Sequence, residues 1–335
     1  MRLLIVTDAW KPQVNGVVRS LEYMADQAPA FGAEVTFLTP QLFRSVPMPS
    51  YPEIRLSMVL PGQMARLIGN IDPTHVHIAT EGPLGHAARH VCRREGRGFT
   101  TSYHTRFPEY LAARVPVPEA WSYRVLRRFH RDAKAVMVST PSLERELTMR
   151  GFRNILRWTR GVDTDLFHPH QRQSIVLPRP IFLYVGRVAV EKNIEAFLSL
   201  DLPGTKVIVG DGPARAELER QYPEAYFLGA RSGVDLAQIY ASANVFVFPS
   251  LTDTFGIVLL EALASGLPVA AFPVTGPLDV IGSSGCGVLD TDLRKAALAA
   301  LDISRERCRS YAETFTWRES ARQFFTNIEA AHAAG

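Results

Sequence analysis

Cysteine is scarce in this 335-residue chain. Cys92, Cys286 and Cys308 lie far apart, with no C-x-x-C pair and no Cys/His cluster. That pattern excludes a disulfide framework and a zinc module. No apolar run reaches the ~18 residues of a membrane-spanning helix. The first run, Leu3–Val6, is too short for a secretory signal, so a cytoplasmic protein is expected. No G-x-G-x-x-G occurs, which disfavours a dinucleotide-dependent dehydrogenase. No basic run carries the interleaved aromatics of a nucleic-acid-binding module, so nucleic acid is not an expected partner. Charged residues make up only 21% of the chain and hydrophobic residues 47%, which excludes disorder as the main state. The length suits two domains.

What charge there is divides unevenly. Residues 1–170 hold 22 Lys+Arg against 15 Asp+Glu, whereas residues 171–335 hold 15 against 18. A basic half joined to a mildly acidic half points to one domain that meets an anionic surface. The alternative is arginine-rich usage, since only five of the 37 basic residues are lysine.

Short apolar β-branched runs alternate with longer helical patterns. Strands are expected at Leu3–Val6, Glu34–Leu38, Val76–Ala79, Thr100–His104 and Ala135–Ser139, with a helix around Val17–Gln27. This βαβα rhythm means a parallel sheet with helices on both faces. It stops near His168-Pro169-His170-Gln171 and restarts after Pro178 and Pro180. Further strands are expected at Ile181–Val185, Lys206–Val209, Tyr226–Phe227, Val245–Phe248 and Pro268–Ala271. The fold class is therefore α/β, with two Rossmann-like domains, 1–168 and 169–335, facing a cleft. The last helix, about 316–335, is a candidate to pack back on the N-terminal domain. Ligands of such sheets bind beyond the carboxyl ends of the strands.

Three strings carry chemistry. In Phe248-Pro249-Ser250-Leu251-Thr252-Asp253-Thr254-Phe255-Gly256-Ile257-Val258-Leu259-Leu260-Glu261-Ala262 a strand ends, an acidic loop follows, and a helix starts near Gly256. The N–H groups at Phe255, Gly256 and Ile257 would form an anion site at the helix N-terminus. Glu261, about one turn in, is placed to accept hydrogen bonds from a ribose diol. The competing reading is a cap at Asp253 or Thr254 and a solvated Glu261. In Gly186-Arg187-Val188-Ala189-Val190-Glu191-Lys192-Asn193, Arg187 and Lys192 can converge on one diphosphate; the competing reading is two solvated cations. Pro12-Gln13-Val14-Asn15-Gly16-Val17 is a turn into a helix.

Together these strings resemble the family-4 retaining glycosyltransferases of the GT-B fold. Gly210-Asp211-Gly212-Pro213, Phe227-Leu228-Gly229, Ala241-Ser242-Ala243-Asn244 and Gly161-Val162-Asp163 with Phe167 add to the match, in the family's order over nearly the whole chain. The nearest likeness is to a branch of α-mannosyl-, glucosyl- and sulfoquinovosyl-transferases that act on lipids. The resemblance implies that Asp253 and Glu261 are the family's paired acids, the first on the transferred sugar and the second on the ribose. It implies that Arg187 and Lys192 hold the diphosphate, that Gly16 lies near the phosphates and Leu228 near the base. It makes His104, in Ser102-Tyr103-His104-Thr105, the active-site histidine against the sugar; by the residues alone a packed strand-end histidine is the commoner reading. Two departures stand out. Asn15-Gly16 replaces the usual Gly-Gly, with altered acceptor contacts expected. Arg160 replaces the usual Asn before Gly161, with an effect expected only on the domain connection.

Asp163-Thr164-Asp165 and Asp290-Thr291-Asp292 look like the D-x-D metal signature of the other large glycosyltransferase fold, but read as turn or capping residues. No metal and no cofactor is expected, the nucleotide-sugar being a substrate. Trp121, Arg124, Val125, Leu126, Arg127, Arg128, Phe129 and Arg131 fall in a basic helix with an aromatic face. Such a helix can lie on anionic lipid, on the inner face of the membrane, or can be an ordinary domain helix with Trp121, Val125 and Phe129 in the core. The leading expectation is a retaining hexosyltransferase that takes a UDP- or GDP-sugar to a lipid hydroxyl. A polysaccharide or lipopolysaccharide acceptor, a sugar-nucleotide epimerase or hydrolase, and a noncatalytic nucleotide-sugar binder are the alternatives.

Overall fold

The computed structural model describes residues 1–13, 15–48, 51–112, 118–173 and 176–333, without the side chains of 48, 51–54 and 110–112. Val14 of the first loop string and the end of the expected last helix lie outside the described residues. The chain divides into two compact units, Met1–Arg160 with Trp317–Gly335, and Gly161–Thr316. The division precedes the His168–Gln171 stretch where the sequence rhythm stops. Val162 and Phe167 are buried in the core of the second unit. Arg309 donates from Nη1 to the carbonyls of Thr164 and Phe167, which ties the stretch there. The prolines thus mark a loop within the second unit.

The first unit contains β1 (Arg2–Val6), β2 (Glu34–Leu38), β3 (Ser45–Met48), β4 (Tyr51–Ser57), β5 (His75–Ile78), β6 (Thr100–Ser102), β7 (Val136–Val138) and β8 (Ile155–Arg157). Six of these form a parallel sheet in the order β2-β1-β5-β6-β7-β8, with Leu4 between Thr36 and Val76. β3 and β4 pair separately as an antiparallel hairpin. Leu3 to Val6 are all buried, as a strand covered on both faces requires. The helix Pro83–Arg94 turns Leu84, Ala87, Ala88, Val91 and Cys92 inward at helical spacing. The last helix, Trp317–Ala333, buries Trp317, Ser320, Ala321, Phe324, Phe325 and Ile328 against the first unit. Trp317 stacks on Tyr23 at 4.3 Å, and Trp158 Nε1 donates to Ser320 Oγ at 3.1 Å.

The second unit contains β9 (Ile181–Val185), β10 (Thr205–Val209), β11 (Tyr226–Phe227), β12 (Val245–Phe248), β13 (Val269–Ala271) and β14 (Gly287–Leu289). They form a parallel sheet in the order β11-β10-β9-β12-β13-β14. Ile181, Leu183 and Val185 enter one core while Phe182 and Tyr184 enter the other, so the five-residue apolar run is one strand between two helix layers. Strand order reverses between β1 and β5 in the first unit, and between β9 and β12 in the second. These switch points are where loops diverge to opposite faces and leave a crevice for a ligand. β3, β4, β8 and β14 are additions to the strands expected from sequence. Among the described residues no helix is long and apolar enough to cross a membrane.

Candidate active site

The strings singled out in the second unit fall on the two loops that flank its switch point. One loop leaves β9 with Gly186 and Arg187; the other leaves β12 and carries Asp253 to Gly256. The first is fastened to the loop after β10: Val188 N–H donates to the Asp211 carbonyl and Ala214 N–H to the Val188 carbonyl. A Cβ at Gly210 would stand 1.8 Å from the Gly186 carbonyl oxygen, so that position admits no side chain. The Gly210-Asp211-Gly212-Pro213 string therefore closes loop on loop. Tyr184 donates its hydroxyl to the Arg187 carbonyl at 2.9 Å, and Arg187 is half-buried.

Three contacts then join the β9 loop to the β12 loop. Asn193 donates to the Pro249 carbonyl at 3.1 Å, Thr252 to the Glu191 carbonyl at 3.4 Å, and Lys192 Nζ meets Asp253 Oδ1 at 2.6 Å. The expected diphosphate cation and the expected sugar acid thus form an ion pair with each other. Asp253 Oδ2 is buried and has no partner among the described residues. A buried carboxylate oxygen left so is costly unless a ligand hydroxyl or water meets it.

Gly256 is the N-cap residue of the helix Ile257–Ala264, at φ +80°, and Asp253 is paired with Lys192, so the reading of Asp253 as the cap fails. The first-turn amides of that helix face the loop end, as helix geometry dictates. Phe255 is buried and Ile257 packs against the same core, so their side chains anchor the turn. Glu261 is 2% exposed and accepts from the Tyr240 hydroxyl at 3.1 Å. The solvated alternative for Glu261 is therefore wrong. Tyr240 was not legible as a site neighbour; the only signal was a hydroxyl-bearing ring in an otherwise apolar helical stripe. Leu228 follows β11 at the sheet edge, with its N–H bonded to the Ile208 carbonyl, and is half-buried on the core.

In the first unit, Gly16 is exposed and opens the helix Gly16–Gln27. Asn15 Oδ1 accepts from the N–H groups of Val17 and Val18, both at 3.0 Å. The departure from Gly-Gly gives the helix a side-chain N-cap, whose oxygen acceptor Asn supplies and Gly lacks.

His104 lies just past β6, among Arg160, His77 and His130. Arg160 donates from Nη2 to His104 Nδ1 at 3.1 Å. This corrects the expectation that Arg160 affects only the domain connection. Arg160 is 5% exposed, lies 4.0 Å over the Trp158 ring, and also donates to the carbonyls of Trp158 and Thr159. Burial lowers its pKa to about 9. Burial, then the Arg160 charge, holds the His104 imidazole well below its ordinary value, so the ring is neutral. His77, wholly buried between the hydroxyls of Thr100 and Ser102, is pushed down to about 3.

The basic helix spans Glu119–His130 and splits its apolar residues. Tyr123, Leu126 and Phe129 enter the core, whereas Trp121 is 57% and Val125 40% exposed. The domain-helix reading, with Trp121 and Val125 in the core, is thus corrected, and so is the single aromatic face. Trp121, Arg124, Val125 and Arg128 share the exposed stripe. Arg127 is held by the Arg150 carbonyl, and Arg131 meets Asp132 at 3.4 Å.

The two D-x-D strings are local structure. Asp163 Oδ1 accepts from the N–H groups of Asp165 and Leu166. Asp290 pairs with Lys295, and Asp292 caps the helix Leu293–Ala299. Among the described residues no three His, Cys, Asp or Glu side chains gather as a metal site.

Residues 14–166 match the profile described as Glycosyltransferase Family 4, and residues 179–305 that described as Glycosyl transferases group 1. A GDP-mannose-dependent alpha-mannosyltransferase of Mycobacterium tuberculosis is 33% identical over 86% of this chain and 83% of that protein. The chain belongs to glycosyltransferase family 4. A sulfoquinovosyl transferase of Arabidopsis thaliana is 34% identical to this glycosyltransferase over 71% of the chain and 50% of the plant protein. Anabaena HepE, solved with UDP and glucose, superposes at a TM-score of 0.75 over 98% of this chain and all of that one, at 17% identity. The two parallel-sheet units are those of the GT-B fold.

Proposed function

We propose that the glycosyltransferase moves a hexose from a UDP- or GDP-sugar to the hydroxyl of a membrane lipid, with retention of the anomeric configuration and without a metal ion. The second unit takes the donor. Arg187, Lys192 and the amides at Phe255, Gly256 and Ile257 face the leaving diphosphate, which a fork of cations and a helix N-terminus can stabilise without a divalent ion. Glu261 holds the ribose and Leu228 lies by the base. Asp253 and His104 meet the transferred sugar, and Gly16 lies near the phosphates. The acceptor hydroxyl attacks on the face from which the diphosphate leaves, and the departing phosphate oxygen takes its proton.

The observation that carries this reading is the Lys192–Asp253 pair. One oxygen of the acid is neutralised by the cation, and the other is buried and unmet, as a sugar-hydroxyl acceptor requires. The first unit takes the acceptor. The exposed Trp121 and Val125, on one stripe with Arg124 and Arg128, support a lipid surface there, because an aromatic beside arginines suits the headgroup boundary. Supply of GDP-mannose or UDP-glucose with anionic lipid vesicles in EDTA tests the proposal. A glycolipid with the donor's anomeric configuration is expected. Transfer only on addition of magnesium or manganese, an inverted product, or donor hydrolysis alone overturns it.

A further inference from the structure

The geometry points to Arg160 as a positioning residue for His104. Arg160 is buried, yet its hydrogen bonds go to three neutral acceptors, the carbonyls of Trp158 and Thr159 and the Nδ1 of His104. A guanidinium has donors only. Nδ1 of His104 must therefore accept, and the proton of the neutral ring lies on Nε2. The titratable groups around His104 act in the same sense: Arg160 from the segment after β8, His77 from β5 and His130 from the helix Glu119–His130 all oppose a second proton on its ring.

Arg160 is itself held. Its guanidinium lies over the Trp158 ring. Trp158 Nε1 donates to Ser320 Oγ, Ser320 Oγ donates to the Thr159 carbonyl, and Thr159 N–H donates to Gln323 Oε1. The last helix thus fixes the strand exit that carries Arg160, and Arg160 fixes the tautomer and tilt of His104. Resting on the reading that His104 faces the transferred sugar, the consequence is specific. The ring offers that sugar an Nε2–H donor and no acceptor for as long as Arg160 keeps its charge.

The test uses the full chain labelled with 15N-histidine, the His104 signals being assigned by their loss in His104→Asn. The parent should show one tautomer, with Nδ1 bare and Nε2 protonated. Arg160→Met, which keeps length but no donor, should give a mixture of tautomers. It should lower kcat about a hundredfold, the scale of a misplaced reacting group, with the donor KM within about twofold. Arg160→Gln, which keeps an N–H donor, should restore the parent tautomer and recover most of kcat. The parent tautomer persisting in Arg160→Met overturns the inference. Should Arg160→Met fail to fold, Arg160→Gln decides alone: its His104 titration should move up once the charge is gone, and an unmoved titration overturns the inference. A mixed tautomer with unchanged kcat leaves Arg160 as the positioning residue and overturns the sugar-facing role of His104.

Discussion

Lys192 and Asp253, 61 residues apart, share an ion pair of 2.6 Å that closes the loop after β9 against the loop after β12. Both side chains are mostly buried, at 19% and 18% exposure. The cation proposed for the diphosphate and the acid proposed for the sugar are thus one electrostatic unit, and removing either changes the other.

Lys192→Ala should weaken nucleoside-diphosphate binding by roughly ten- to a hundredfold, the loss of a charge-assisted contact of about 1.5–3 kcal/mol. Asp253→Asn should lower turnover more than it lowers nucleotide affinity. The double variant should depart from the sum of the singles by about 0.5 kcal/mol or more, as contacting groups do. Calorimetric titration with GDP and UDP reads this; strict additivity would separate the two roles.

Glu261 and Tyr240 give a second cycle. Tyr240→Phe keeps the buried ring and deletes the hydroxyl that Glu261 Oε2 accepts. Nucleotide affinity should fall by about 1 kcal/mol, the net worth of one hydrogen bond. Glu261→Gln should weaken nucleotide binding chiefly, with kcat at saturating donor little altered. Loss of kcat alone in Glu261→Gln would remove it from the ribose.

Acid should loosen the first unit before the second. His77 and His104 stay neutral when folded, far below their ordinary values, whereas in the unfolded chain each takes a proton near pH 6.5. The unfolded state then binds more protons, so stability rises with pH and is lost as pH falls from 6.5 towards 3. His77, whose folded value is about 3, contributes about 1.5–2 kcal/mol between pH 6.5 and 5, and His104 adds in the same direction. The second unit holds only His168 and His170, neither of them buried. All four tryptophans, Trp10, Trp121, Trp158 and Trp317, belong to the first unit, so tryptophan fluorescence in urea reports that unit alone. A midpoint unchanged between pH 7 and 5 would contradict the prediction.

Replacing Arg124, Arg127, Arg128 and Arg131 together with Gln should reduce co-sedimentation with anionic vesicles, at about 1 kcal/mol for each arginine near the lipid. Binding of the parent should fall as salt rises. Arg127 is occupied by the Arg150 carbonyl, so restoring it alone should recover least. A folded quadruple variant that sediments like the parent would make a soluble acceptor the better reading.

Much of the architecture was legible because the central strands are buried on both faces. Ile181–Val185 holds no charged residue and only one hydroxyl, that of Tyr184, so its ends show in composition alone. β8 and β14 escaped because three residues at a sheet edge, only partly buried, carry no such signature. Within the site, Lys192 and Asp253 were visible separately, but their pairing was not, since contact across 61 residues leaves no local pattern. Arg160 and His104 stand 56 apart, and Tyr240 and Glu261 stand 21 apart, for the same reason. The helix Glu119–His130 has apolar residues around more than one face, so periodicity could not say that Phe129 turns inward and Trp121 outward. Asn15 was conspicuous only as a departure from a pattern; its cap needed the amides of Val17 and Val18 in place.

The last helix also sets an order of events during synthesis. Gly161–Thr316 is a continuous stretch and has its whole sheet as soon as it leaves the ribosome. The first unit is interrupted: its sheet emerges early, but Trp317, Ser320 and Phe324 arrive only after the entire second unit. Until then Trp158 lacks the Ser320 hydroxyl and Tyr23 the Trp317 ring, and the Thr159 amide of the strand exit lacks Gln323. Because domains generally fold as units in the order they are made, this chain runs against that order, with its N-terminal unit finished last. On the proposed role of Arg160, His104 takes its fixed tautomer only once the last helix has docked, so a nascent chain halted before that helix holds the complete second-unit sheet and an unset histidine.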